Sequence, residues 1–138
     1  MKKQIVILAI SLLLLGSVSI FAQEVKSNGN IQLTENSIDN YLVGLNSNNL
    51  GLRISSAYFL GEYKVSEAII PLMKMLHNEK SEEARIIAAL SLVKIGTGKA
   101  VYAVKQASDF DESERVRNLC AKFYSSFSYA ENEKEKTL

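Results

Sequence analysis

The chain has 138 residues, 22% of them charged, with 16 Lys and Arg against 15 Asp and Glu, one His, one Cys and one Pro. That length holds one modest domain. The balanced charge argues against a polyanion partner, a single Cys excludes an internal disulfide, and one His argues against a zinc or iron centre of several converging ligands.

Met1-Lys2-Lys3 opens the chain, an apolar run follows from Ile5 to Leu15, and Gly16-Ser17-Val18-Ser19 leads to Ile20-Phe21-Ala22-Gln23. This is the three-part layout of a secretory signal peptide over residues 1–22, with cleavage expected after Ala22, or alternatively after Ser19. The run from Ile5 to Ala22 is 18 residues long, at the short limit for a membrane span, and no basic stop follows it. No Cys follows it for lipid attachment. The expectation is therefore an exported protein, periplasmic or extracellular, with no stable membrane insertion after cleavage. Loss of Lys2 and Lys3 leaves 14 basic residues against 15 acidic ones, a net charge of −1.

Residues 23–35 are polar, contain Asn28-Gly29, and read as a flexible leader. Helical periodicity begins near Thr34 or Ser37. Ile38, Tyr41, Leu42 and Leu45 then share one helical face, and Asn46-Ser47-Asn48-Asn49 breaks the helix. The spacing predicts a helix over Leu50–Tyr63, a turn at Lys64-Val65, and a second helix from the cap Ser66 to His77. Pro71 falls in its first turns, where a missing amide donor matters least. Asn78-Glu79-Lys80-Ser81 is a turn, with Ser81 capping a helix over Glu82–Ile95. Gly96-Thr97-Gly98 is a hinge. Followed by Lys99, it resembles a phosphate loop only superficially, because it follows a helix and lacks the leading glycine. The next helix covers Lys99–Ser108. Asp111 with Glu114 matches a capping box for the last helix, which is expected to run to about Ser126. Residues 129–138 are rich in Glu and Lys and are expected to be a charged, disordered tail.

One pattern organises all of this. Leu52-Arg53-Ile54-Ser55-Ser56-Ala57, Ala84-Arg85-Ile86-Ile87-Ala88-Ala89 and Val116-Arg117-Asn118-Leu119-Cys120-Ala121 place Arg at 53, 85 and 117 and Ala at 57, 89 and 121, so both steps are 32 residues. Ala68-Ile69-Ile70 and Ala100-Val101-Tyr102 keep the same step. Stacked helical hairpins have such a period. First-type helices, which carry the Arg, alternate with second-type helices, and no strand-like alternation competes. The Ala columns let neighbouring helices approach closely. Leu60, Leu90, Leu92, Ile86, Leu119 and Phe123 supply apolar area, each worth roughly 1.5–3 kcal/mol when buried.

These residues resemble HEAT repeats of the short bacterial type, also called phycobilisome-lyase-like HEAT repeats. The resemblance rests on Leu52, Arg53, Ser56, Ala57, Leu60 and Gly61; on Glu83, Ala84, Arg85, Ala88, Ala89 and Leu92; on Glu114, Val116, Arg117, Cys120 and Ala121; and on Glu67-Ala68-Ile69-Ile70-Pro71-Leu72 with Leu76. It implies an all-α fold over residues 36–128, a short right-handed α-solenoid of antiparallel helix pairs. The third copy departs from the pattern at Lys122, Tyr124 and Ser125 and reads as a terminal cap. Some HEAT-like hydroxylases hold two irons through paired His-Glu motifs. This chain has His77-Asn78-Glu79 once and no such pair, so no metal or other cofactor is expected. No residue can be assigned to lyase action.

The Arg column reads as structural, pairing with acids of the neighbouring turn, for which Glu82, Glu83, Asp111, Glu112 and Glu114 are candidates. Cys120 aligns with Ser56 and Ala88 and reads as a small core filler rather than a nucleophile. The resemblance places the second-type helices on the concave side, where Asp39, Val43, Asn46, Ile70, Lys74, His77, Tyr102, Gln106 and Asp109 recur in register. They are the candidate binding residues for a protein or peptide partner. Tyr124, Phe127 and Tyr129 form a second candidate surface, covering the end of the core or docking another molecule. The leading expectation is a non-catalytic scaffold or adaptor. The alternatives are a structural element of an envelope assembly that stacks through its terminal helices, and an accessory subunit of a lyase-type enzyme.

Overall fold

The computed structural model describes residues 35–137. The expected signal peptide, nearly all of the leader and Leu138 lie outside the described residues. Among those described there are six α-helices and no strand: α1 (Glu35–Gly44), α2 (Leu50–Glu62), α3 (Ile69–Asn78, entered through a 3-10 turn at Ser66–Ala68), α4 (Glu82–Ile95), α5 (Gly98–Phe110) and α6 (Glu114–Lys136). None of them is long and apolar enough to cross a membrane.

The helix starts are set by short polar side chains in extended backbone. Asn49 Oδ1 accepts from the Leu52 amide at 3.1 Å, Ser81 Oγ from Ala84 at 3.3 Å and Ser113 Oγ from Val116 at 3.3 Å. These three caps keep the 32-residue step of the Arg column. Thr97 does the same for α5, accepting from Ala100 at 3.4 Å. Each cap answers one of the first-turn amides that the helix itself leaves unpaired. The expected capping box of Asp111 and Glu114 is not formed. Ser113 is the cap, because the Asp111 carboxylate is engaged elsewhere. α4 ends at Gly96, whose φ of 76° is the left-handed conformation that glycine adopts without strain.

First-type helices pack in a row, α2 on α4 and α4 on α6, while α3 packs on α4 and α5, and α5 on α6. α1 packs on α2. Leu60, Leu72, Leu92, Val104, Val116 and Cys120 are fully buried between them. The α2–α4 contact is close because of small residues. A Cβ on Gly61 would lie 2.5 Å from the Ser91 Cα, so only glycine permits this spacing. There Ser91 Oγ donates to the Ala57 carbonyl at 2.7 Å, bonding the two helices directly. At the α1–α2 contact a Cβ on Gly44 would collide with Ser56 Oγ, which is buried without a hydrogen-bond partner.

Three expectations are corrected. Ala57 and Ala89 are buried, but Ala121 is exposed, because no helix among the described residues covers that side of α6. α6 does not stop near Ser126, and the stretch from Tyr129 to Lys136, expected to be disordered, is helical. Its Ala, Glu and Lys are strong helix formers, and Lys134–Glu131 (2.7 Å) and Lys136–Glu133 (3.0 Å) pair one turn apart. α5 extends two residues further than expected, so Asp109 and Phe110 are helical.

The Arg column builds a ladder. Arg53 pairs with Glu79 through Nε (2.5 Å) and Nη2 (3.0 Å), and Arg85 pairs with Asp111 through Nε and Nη2, both at 2.9 Å. In both pairs the acid lies 26 residues ahead. Each Arg also donates backwards through Nη1 to the carbonyl six residues before it: Arg53 to Ser47 (2.8 Å), Arg85 to Glu79 (2.8 Å) and Arg117 to Asp111 (2.6 Å). Glu79 and Asp111 therefore each serve two arginines, one by side chain and one by backbone. Asp111 had been expected in this role, but Glu79 had not. Glu82 and Glu83 instead meet Arg115, at 3.4 and 2.9 Å on the surface.

The two carboxylate rungs differ in burial. The Arg85 and Asp111 side chains are 4% and 7% exposed, those of Arg53 and Glu79 19% and 18%. Removing one partner of a buried pair strands the other charge, at roughly 3–5 kcal/mol, against roughly 1 kcal/mol for a half-hydrated pair. Asp111→Ala is therefore expected to lower the urea unfolding free energy by about 3 kcal/mol and Glu79→Ala by about 1 kcal/mol. Equal losses would contradict the ranking.

Candidate functional site

Between α3 and α5 lies a groove of about 800 Å³. Met73, Leu76, Ala103 and Ala107 give it apolar walls, because these positions recur at helical spacing on the facing sides of the two helices. Tyr102 and Phe110 stand at its margins, 61% and 77% exposed. His77, Asn78, Lys80 and Gln106 add polar groups. At one end are Glu79, Arg85 and Asp111, the shared part of the ladder. There the Arg85 guanidinium is held charged by the paired hydrogen bonds it donates to Asp111, which raise its already high pKa. Its charge is met by Asp111 and, at 3.5 Å, by Glu112, whose side chain is largely exposed.

Of the nine candidate residues, His77, Tyr102 and Gln106 line this groove together. Ile70 and Lys74 on α3 and Asp109 on α5 are exposed but are not among its lining residues. Asp39 and Val43 on α1 and Asn46 just after it are also exposed and do not line the groove. Phe110 was missed because the sequence reading ended the helix at Ser108 and placed this residue in a turn. A large apolar residue just before an acidic turn was the available signal. Of the aromatic residues near the chain end, Phe127 lies against Gly96, Tyr124 lies 5.9 Å from the Lys105 ammonium, and Tyr129 is 70% exposed.

Among the described residues no three His, Cys, Asp or Glu side chains converge as metal ligands. On the α2–α4 surface Lys94 pairs with Glu62, and its ammonium sits 5.2 Å from the Tyr58 ring. Hydrogen bonding to Lys94 holds Glu62 below the usual carboxylate range, and hydrogen bonding to Glu62 pushes Tyr58 up. Both shifts move away from neutrality, so neither group is poised to exchange a proton there. Chemically, the groove offers apolar contact, aromatic faces and hydrogen bonds.

Cys120 is fully buried, and burial pushes its thiol to about 11, with Asp111 adding to the rise and Arg85 opposing it. Only the thiolate is nucleophilic, and almost none is present near pH 7. The folded protein at pH 7.5 is expected to give no reaction with a thiol-specific chromogenic disulfide over minutes, and one equivalent after denaturation. Stoichiometric labelling of the native state would contradict this.

No family model matches the chain, and no curated protein matches its sequence.

Proposed function

We propose that this chain is an exported, non-catalytic adaptor of HEAT-like solenoid architecture, and that it holds a segment of a partner protein in the groove between α3 and α5. The observation that carries this reading is the groove itself, about 800 Å³, with Tyr102 and Phe110 presented at its margins. Exposed aromatic residues beside an apolar trough are the side chains that anchor protein contacts, and polar groups at the rim fix orientation. The row of first-type helices and the ladder in register support the solenoid reading, because each layer repeats the contacts of the one before. The export reading is supported by the layout of residues 1–22.

The binding reading is tested with Tyr102→Ala and Phe110→Ala. Both side chains are mostly in water, so thermal unfolding is expected to stay within about 2 °C of the parent. Capture of the partner that crosslinks to a photoreactive group at Gln106 is expected to fall about tenfold in each variant. Unchanged capture by both would overturn the groove as the binding face. The export reading is tested by N-terminal sequencing of the protein from the extracytoplasmic fraction. A start at Gln23 is expected, and an intact Met1 in that fraction would refute cleavage.

A further inference from the structure

On the side of α6 that begins at the half-buried Arg117, Ala121 is exposed among the described residues, whereas its counterparts Ala57 on α2 and Ala89 on α4 are buried. The molecule itself shows twice what such a side accepts. It is closed by another first-type helix, and the arginine at its start receives a carboxylate. Arg117 has its backbone contacts, to the carbonyls of Asp111 (2.6 Å) and Glu112 (3.1 Å), but makes no ion pair among the described residues. Glu135 makes none either, and it lies eighteen residues further along the same helix. That interval is about five turns, so the two charges share one side of α6. Between them on this side are Ala121, Tyr124 and Ser128, with Ser125 at its edge.

We propose that α6 packs antiparallel against α6 of a second copy of this chain, about a two-fold axis near Ser126, with Arg117 of each copy facing Glu135 of the other. The side is self-complementary in charge. Arg117 stands near its start and Glu135 near its end, so turning it end over end brings opposite charges together and sets Tyr124 of each copy opposite Ser128 of the other. A two-fold contact requires this of a surface. Head-to-tail stacking fails the same criterion, because the turn before α2 offers Ser47 where the later turns offer Glu79 and Asp111. The pairing also gives a packing role to Tyr129–Lys136, two turns of helix that are exposed throughout. Isolated helical turns are marginal in water, and a neighbour stabilises them. The ion pairs set direction more than strength. Tyr124 over Ser128 of the other copy, together with the exposed Ala121, supplies the contact area.

Sedimentation of the protein as isolated from expressing cells, over a concentration series, is expected to show a monomer–dimer equilibrium. Arg117→Glu and Glu135→Arg are each expected to weaken it about tenfold, and the two together to restore it, since the charges are exchanged. Glu135 lies outside the packed core, so Glu135→Arg remains informative even where Arg117→Glu perturbs the turn it binds. Ser125→Cys is expected to give an intermolecular disulfide on mild oxidation, and Ser66→Cys, remote on α3's entry turn, is not. A monomer at every concentration, or a dimer insensitive to both single reversals, would overturn the proposal. Tyr102→Ala leaves this equilibrium unchanged, so the outcome is separate from that of the groove.

Discussion

A guanidinium taken out of water needs its charge balanced and its N–H groups answered together, and in this protein no single layer can do both. Arg85 takes a carboxylate from Asp111, one layer ahead, and a carbonyl from Glu79, one layer behind. Its side chain therefore bonds elements on either side of its own helix. Because the donors of arginine form a rigid fork, the pairing tolerates little rotation between layers. The ladder stabilises less through its net electrostatics, which desolvation largely offsets, than by fixing register.

Register in turn determines what the small residues can do. Gly61 lies against Ser91 closely enough that the Ser91 hydroxyl reaches the Ala57 carbonyl. A slip of a fraction of a turn would put backbone where only a hydrogen fits. The apolar core from Leu60 to Val116 fills the space behind this contact and contributes most of the burial. The groove follows from the same geometry. Arg85 and Asp111, pinned at its end, hold α5 at a set distance from α3, and Ala103 and Ala107 are too short to fill the gap from the α5 side.

Much of the helical order was legible because it rests on local signals. The Arg and Ala columns, the caps and the apolar faces repeat within stretches of chain that the eye can align. The identity of Glu79 as a partner of Arg53 was not legible, because a turn of four polar residues gives no local hint of which one faces back. The run of α6 past Ser126 was hidden for a different reason. Its Glu and Lys content signals solvation equally well in a helix or a coil, and only the pairing of Glu131 with Lys134 and of Glu133 with Lys136 distinguishes them. At the groove, His77, Tyr102 and Gln106 could be grouped by spacing, whereas Phe110 depended on where α5 ends, which a terminal turn determines only weakly.

The double duty of Glu79 and Asp111 bears on how such a chain can grow. Each of these acids faces backwards with its side chain and forwards with its carbonyl, so every junction between layers has the same two halves. A tandem duplication of residues 82–113 would bring its own cap, its own arginine and a copy of the Asp111 junction. Both new seams would then meet the groups they require. An insertion within the ladder that is not a whole number of 32-residue layers would break this junction, so the bonding pattern favours growth in whole layers.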